Sequence, residues 1–343
     1  MRKIGFGVIG CGSIANSFHL PELRQIEEAE LIAVADIRPN RARATAERFK
    51  VPLWFTDYNK LLELEDVEAV IIATPHPTHA KIAIDSIEAG KHVMIQKPMA
   101  TSVEEANFIV EIAKRHPDLK VMVLPFIYYD IPVFDYTKNL LDRGELGKIC
   151  MLRVRIAHQG PEASQREIAR TFNEELKECW FLKSEKAHGG VLLDLGIYSV
   201  TMITLLLGRV RKVIAYMATL AKDADVEDNA TLILEMNNGA IATVECSWTQ
   251  PIPSEELSIY GTKGIIYLDK FRNKVRVFKE CNRSWITPSL PREKEPQHTH
   301  RHFIRSILED REPIGTVEDG AYLIRILDAA YRSAILGKFI EIL

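Results

Sequence analysis

Over the first 124 residues, short apolar runs alternate with segments of helical spacing, and few folds accept that order. The runs Ile4–Ile9, Leu31–Ala35, Ala69–Ala73, Val93–Ile95 and Val121–Leu124 are bounded by Gly, Pro or polar residues. Between them, Arg41–Phe49, Ala80–Ala89 and Val103–Arg115 space their apolar positions as amphipathic helices do. A strand that is apolar throughout is buried on both faces. Helices that return the chain between such strands cover both sides of a parallel sheet. The expected unit over residues 1–124 is therefore a doubly wound α/β domain, with Lys120–Leu124 as its sixth strand.

The pattern changes near residue 125. A helix over about Val133–Arg143 and the turn Gly144-Glu145-Leu146-Gly147 lead into β-rich sequence. Strands are expected at Ile149–Ala157, Val210–Leu220, Ala230–Glu235, Ala240–Trp248, Leu257–Tyr260, Gly264–Leu268 and Lys274–Phe278. Asn237-Asn238-Gly239 reads as a hairpin turn, and Thr262-Lys263-Gly264 joins another pair. Strands that follow one another without helices between them form a mostly antiparallel sheet. One helix interrupts, Leu193–Leu207, and two close the chain, about His302–Glu309 and Val317–Leu336. Residues 125–343 thus read as an α+β domain, whose final helix (317–336) has either domain open to it.

The first apolar run ends in Gly10-Cys11-Gly12-Ser13-Ile14-Ala15, which fits G-x-G-x-x-G/A between a strand and a helix. Gly10 permits a tight turn, Gly12 lets backbone approach a pyrophosphate, and Ala15 allows close helix–strand packing. The helix N-terminus then offers its N–H groups to the phosphates. Asp36 ends the second run about 20 residues on, where a carboxylate accepts from ribose hydroxyls. These signals in order predict a dinucleotide site. Asp36 repels a 2′-phosphate and favours NAD, whereas Arg38, two residues later, can accommodate one, so NADP stays open. Thr74-Pro75-His76-Pro77-Thr78-His79 follows the fourth strand at the same sheet edge and is expected to line the cofactor, His76 and His79 included. No carboxylate or Cys accompanies its histidines, so no metal is expected there. The histidines at 298, 300 and 302 read as a solvated or capping cluster.

Lys and Arg total 44 against 47 Asp and Glu, a net charge of −3 with no basic block, which argues against a nucleic-acid partner. No apolar run approaches the length of a membrane span and no secretory segment is evident, so no membrane partner is expected. The five cysteines are odd in number, far apart and without a CxxC pair, which points to a reducing, cytoplasmic setting.

Residues 89–98, Ala-Gly-Lys-His-Val-Met-Ile-Gln-Lys-Pro, deliver Lys97 to the end of a buried strand. That edge is where an open α/β sheet keeps its ligand, and an amine there can meet a reacting oxygen. Together with the Gly10–Ala15 loop, Thr74-Pro75…His79, Gly144–Ile149, Gly189–Tyr198 and Glu318…Ala334, the decapeptide resembles the glucose–fructose oxidoreductase and inositol dehydrogenase (Gfo/Idh/MocA) family of NAD(P)-dependent oxidoreductases. The resemblance covers nearly the whole chain. It implies an N-terminal Rossmann domain and a C-terminal domain on a large open sheet that commonly forms the subunit interface, hence a homodimer or homotetramer. It also implies Lys97 at the reacting oxygen, with Asp194 and Tyr198 facing it.

Hydride transfer at a carbinol or carbonyl carbon needs a partner that moves the oxygen's proton. Lys97 and Tyr198 are expected to share it, with burial lowering the Lys value and a neighbouring ammonium lowering that of Tyr. Asp194 orients one of them, and its four-residue spacing from Tyr198 puts both on one helix face. Gln96, counted with the cofactor edge, stands where the family usually has Glu. The lost negative charge should ease deprotonation of Lys97. Pro125-Phe126-Ile127-Tyr128-Tyr129 replaces a polar family segment with an apolar, aromatic wall. Trp180, Arg155 and His158 are further substrate candidates. The expected activity is a dehydrogenase or reductase of a sugar, a sugar derivative or a related small hydroxy compound. The alternatives are a hydrolase that cleaves glycosides by transient oxidation and a regulator that binds NAD(P) without turnover.

Overall fold

The structure is a computed structural model that describes residues 2–126, 131–175, 178–269, 274–290 and 298–342. Six parallel strands, β1 (Ile4–Ile9), β2 (Ala29–Ala35), β3 (Leu53–Phe55), β4 (Ala69–Ile72), β5 (His92–Ile95) and β6 (Val121–Val123), lie in the order β3-β2-β1-β4-β5-β6. Every residue of β1, β4 and β6 is buried, as continuous apolar runs require. Helices α1 (Leu20–Leu23), α2 (Pro39–Phe49), α3 (Tyr58–Leu62), α4 (His79–Glu88) and α5 (Val103–Arg115) connect them. The strand order reverses between β1 and β4, which opens a crevice at their carboxyl ends. The edge strand β3 is three residues long and largely exposed, so the sequence has only a short apolar stretch to mark it.

The remaining chain builds a nine-stranded sheet. Its strands are β7 (Ile149–Ala157), β8 (Val210–Ala218), β9 (Asn229–Met236), β10 (Ile241–Ser247), β11 (Ser254–Gly261), β12 (Gly264–Asp269), β13 (Lys274–Lys279), β14 (Ser284–Ile286) and β15 (Ile340–Glu341). They run in the order β14-β13-β12-β11-β7-β10-β9-β8-β15, with β7 and β10 parallel and the other pairs antiparallel. The expected Asn237–Gly239 hairpin joins β9 to β10, with Gly239 at φ 81° and donating to Met236 O at 2.9 Å. Helices α6 (Pro132–Asp142), α7 (Glu162–Thr171), α8 (Ser184–Ala187), α9 (Ile197–Leu207), α10 (His298–Leu308) and α11 (Val317–Leu336) complete the chain. The sequence hid α7, which buries only Ile168 and Ala169 and so carries no apolar stripe.

Two expectations change. Ser184–Leu207 is, at 24 residues, long and apolar enough by composition to cross a membrane. Yet 78% of its most apolar window is buried inside the protein, where α9 packs over β7 and β10. The closing helix α11 does not choose between domains. Val317, Ala321 and Ile324 enter the core beside β6, while Leu323, Ile326, Leu327 and Ala330 enter the core beneath β8. Its start is fixed by a reciprocal cap, with Thr316 Oγ1 accepting from Asp319 N at 3.2 Å and Asp319 Oδ2 accepting from Thr316 N at 3.1 Å.

Candidate active site

The Gly10–Ala15 loop leaves β1 at the crevice. Gly10 has φ 96°, and a Cβ there would stand 2.5 Å from Ala73 O, so the turn demands glycine. A Cβ on Gly12 would meet nothing within 4 Å, so this loop faces open space where a pyrophosphate can approach. Cys11 offers the loop only its backbone, because its side chain is buried in the core. Ser13 and Ile14 open the helix, and Ala15–His19 forms a π-helical turn before α1. Asp36 braces the loop. Its Oδ2 accepts from Cys11 N at 2.9 Å and its Oδ1 accepts from Arg38 N at 2.8 Å. Each oxygen keeps a lone pair for a ribose hydroxyl. Across the crevice, buried His76 has no hydrogen-bond partner for Nδ1 among the described residues. Loop, acid and orphaned polar atom together fit a nicotinamide dinucleotide. Thr74 and Pro75 begin that second loop, and His79 locks it: its Nδ1 lies 2.7 Å from Pro98 O and its Nε2 2.7 Å from Thr74 O. His79 therefore acts by tying the loop to the Lys97–Pro98 turn.

Lys97 follows β5 at the carboxyl edge of the sheet and reaches the second domain. Its ammonium pairs with Asp194 Oδ1 and donates to Asp194 O at 2.8 Å, with Lys97 and Asp194 side chains only 12% and 11% exposed. Trp248, fully buried, donates Nε1–H to Asp194 Oδ2 at 3.2 Å. The ammonium also stands 5.1 Å from the centre of the Tyr198 ring. Asp194 sits in a second π-helical turn, Leu192–Gly196, which runs into α9. Such turns are frequent at functional sites.

The segment that delivers Asp194 is pinned by Glu227. This carboxylate accepts from Gly190 N at 3.1 Å, Leu192 N at 3.0 Å and the Tyr331 hydroxyl at 2.8 Å. Neither Glu227 nor Trp248 is visible as functional in the sequence. One acid among 47 Asp and Glu has no marking of its own until the fold brings it under a loop.

The charge states differ from expectation. Burial opposes the charge on Lys97, but the Asp194 carboxylate and then Tyr198 outweigh it, and the amine is held above its ordinary value. Burial alone would raise Asp194, but the same ammonium holds its carboxyl below the usual range. Burial lifts the Tyr198 hydroxyl above its ordinary value, more than Lys97 pulls it down. Both expected downward shifts are therefore corrected: in the resting site Lys97 and Tyr198 keep their protons. His76 and His158, beside the pair, are pushed below the ordinary imidazole value, first by burial and also by Lys97.

Gln96 does not face the ammonium either. Its Oε1 accepts from Lys97 N at 3.1 Å, and its amide meets His19 Nε2 at 2.9 Å. His19 Nδ1 lies 2.8 Å from His300 Nε2, and His300 Nδ1 lies 2.7 Å from Glu22 Oε2. A backbone N–H can only donate and a carboxylate can only accept, so both ends of this chain fix its direction. Glu22 accepts from His300, His300 from His19, and His19 from the Gln96 amide, with one proton per imidazole. His300 is thus buried in a bonded pair with His19 rather than solvated. Gln96 thus presents its amide to His19, and Asp194 supplies the negative charge beside Lys97. Gln96→Glu should place two acceptors face to face and draw a proton onto His19. Its imidazole value, which burial holds down in the native protein, is then expected to rise, read by NMR titration of the His Cε1–H signals. A His19 that stays neutral throughout would refute this direction of the chain.

The substrate candidates separate. Trp180 stacks on Phe181 at 3.8 Å between ring centres and meets His76 edge-on at 4.9 Å, beside the pair. His158 is electrostatically coupled to Asp194 and Lys97. Arg155 is not at the site. It alternates with the core residues Val154 and Ile156, and so points to the opposite, open face of the sheet, where it donates to Ser254 Oγ at 2.5 Å. Of the aromatic wall, Phe126 is buried, and Ile127, Tyr128 and Tyr129 lie outside the described residues.

Comparison with known proteins decides the class. Residues 4–124 match the model of the oxidoreductase family with an NAD-binding Rossmann fold, and residues 134–267 match the GFO/IDH/MocA C-terminal domain. The chain belongs to the Gfo/Idh/MocA family. It is accordingly an NAD(P)-dependent oxidoreductase. Among similar relatives, myo-inositol 2-dehydrogenase of Thermotoga maritima is 25% identical over 95% of both chains. A dTDP-3,4-didehydro-2,6-dideoxy-alpha-D-glucose 3-reductase of Saccharopolyspora spinosa is 27% identical over 79% of this chain and 76% of its own. GenD2 of gentamicin A biosynthesis, solved in complex with NAD, superposes with a TM-score of 0.84 at 26% identity over 99% and 97% of the two chains.

Proposed function

We propose that this Gfo/Idh/MocA protein moves a hydride between nicotinamide and a carbinol or carbonyl carbon of a sugar, a sugar derivative or a related small hydroxy compound. The observation that carries the reading is the buried Lys97–Asp194 pair at the carboxyl edge of β5, with the Tyr198 ring against the ammonium. The coenzyme, when bound, supplies or accepts the hydride. Its holders in this reading are the Gly10–Ala15 backbone, Asp36 and Arg38 at the ribose end, and Thr74, Pro75, His76 and Gln96 along the crevice.

In the reducing direction Lys97 gives a proton to the oxygen as negative charge develops there, and Asp194 keeps the amine charged beforehand. Tyr198 is the second donor at that oxygen. In the oxidising direction Lys97 must first shed its proton, so the pair favours oxidation at higher pH. Reduction is expected to hold across neutral pH and to fall only above the ordinary lysine value of about 10.4. The Trp180–Phe181 stack offers an apolar face to the CH side of a ring substrate.

The domain division lies at residues 124/125 in this reading. The open sheet face, where Met151, Ile233, Ile241 and Tyr267 are exposed, is the contact between subunits of a homodimer or homotetramer. Five free cysteines, Cys150 and Cys281 exposed among them, accord with a cytoplasmic setting.

The test is NADH and NADPH absorbance against aldoses, polyols and cyclitols, with ketosugars in reverse. Stoichiometric coenzyme turnover supports the reading. Glycoside cleavage without net turnover, or tight coenzyme binding with no turnover at all, would overturn it.

A further inference from the structure

Arg38 and Arg41 lie just beyond Asp36, at the start of α2, where a dinucleotide fold meets the 2′-phosphate of NADP. Neither guanidinium is free. Glu174, from the turn after α7, takes both. Arg38 Nη1 donates to its Oε2 at 2.5 Å, and Arg41 binds it in a fork, Nε to Oε1 at 2.9 Å and Nη2 to Oε2 at 2.7 Å. Arg41 and Glu174 are 14% and 16% exposed, so this contact is sheltered from solvent in a way that most surface pairs are not.

The turn is built to make it. Asn173 adopts φ 51°, and Glu174 N donates back to Ala169 O at 2.8 Å, which closes α7 and fixes the direction of the next side chain. The Phe172 ring stands 5.7 Å from the Arg41 guanidinium. One turn of the second domain thus presents a ring and a carboxylate to the same arginine of the first domain, beside Asp36.

Two guanidiniums beside a ribose acid make a phosphate cradle, and a carboxylate matches the planar fork that a phosphate would otherwise engage. We propose that Glu174 is the specificity-determining residue for the coenzyme: it occupies Arg38 and Arg41 as a built-in anion, so that a 2′-phosphate meets two carboxylates, Asp36 and Glu174, instead of two arginines. NAD leaves the cluster intact. NADP has to break a forked, sheltered ion pair and strand Glu174 next to its own phosphate. The inference rests on the assignment of Asp36 and Arg38 to the adenosine ribose.

The test is calorimetric binding of NAD⁺ and NADP⁺ to the full chain, native and as Glu174→Gln, Glu174→Ala and Asp36→Ala. The native protein is expected to prefer NAD⁺ strongly. Each Glu174 variant is expected to shift the ratio of the two dissociation constants toward NADP⁺ by on the order of 10- to 100-fold. The gain in NADP⁺ affinity should weaken with added salt, as freed arginines require. Glu174→Gln keeps the shape of the side chain and one acceptor oxygen while it removes the charge, so it remains informative if the Ala variant is unstable. Ratios unchanged in both variants, with Asp36→Ala still altering coenzyme affinity, would overturn the role of Glu174 alone. An Asp36→Ala protein that binds both coenzymes as the native one does would overturn the ribose-end assignment and this inference with it.

Discussion

Replacing Lys97 by Met is expected to lower kcat by about 10³-fold while coenzyme binding stays within roughly fivefold. The same change strands Asp194. In the native protein the pair contributes stability above the unfolded Asp value of about 3.9 and below the unfolded Lys value of about 10.4, and this fades as pH leaves that window on either side. Without the ammonium, burial pushes Asp194 up rather than down. The folded state then binds more protons than the unfolded one, so stability falls as pH rises through neutrality. At pH 7 the loss is expected to be about 3 kcal/mol, read by urea denaturation. Lys97→Met combined with Asp194→Asn should recover most of that stability and flatten its pH slope, since an amide still accepts from Trp248. Activity should stay lost. A stable double variant with near-native turnover would end the assignment of proton transfer to Lys97.

Gly12→Val is expected to fold normally and to weaken dinucleotide binding by at least about 100-fold, or roughly 3 kcal/mol. The added side chain enters open space in the free protein, the space a pyrophosphate needs. Gly10→Val, two residues away, should act on the fold instead. Its Cβ runs into Ala73 backbone and its φ of 96° suits no β-branched residue. A loss of about 3–5 kcal/mol is expected there. Calorimetry of the two variants with NADH separates the effects: one keeps its Tm and loses the ligand, the other loses its Tm. A Gly12→Val protein that binds NADH normally would show that the coenzyme does not approach over this loop.

What the sequence disclosed was what is written locally. Strand–turn–helix order, the glycine loop with Asp36, and Lys97 at a strand end each occupy a few consecutive residues and survive being read without a fold. Elements that owe their form to neighbours were hidden, such as β3 on its edge and the polar helix α7. Charge states were hidden too, because they belong to pairs. The free-standing properties of Lys97 predict an eased deprotonation, and Asp194, 97 positions away, reverses it. Gln96 shows in the sequence as a missing charge, but the side chain its amide meets is His19, 77 positions away. Arg155 lies in a strand whose alternation, not its position near the strand end, decides which face it takes.

The helix α11 has a consequence for how the molecule melts. Its two stripes are shared between cores that would otherwise unfold independently, so neither can lose its packing without exposing part of the other's. Heat or urea should therefore see one cooperative unit. Coenzyme gripped at the edge of the six-stranded sheet would raise the melting point of the nine-stranded sheet as well, although it need not touch it.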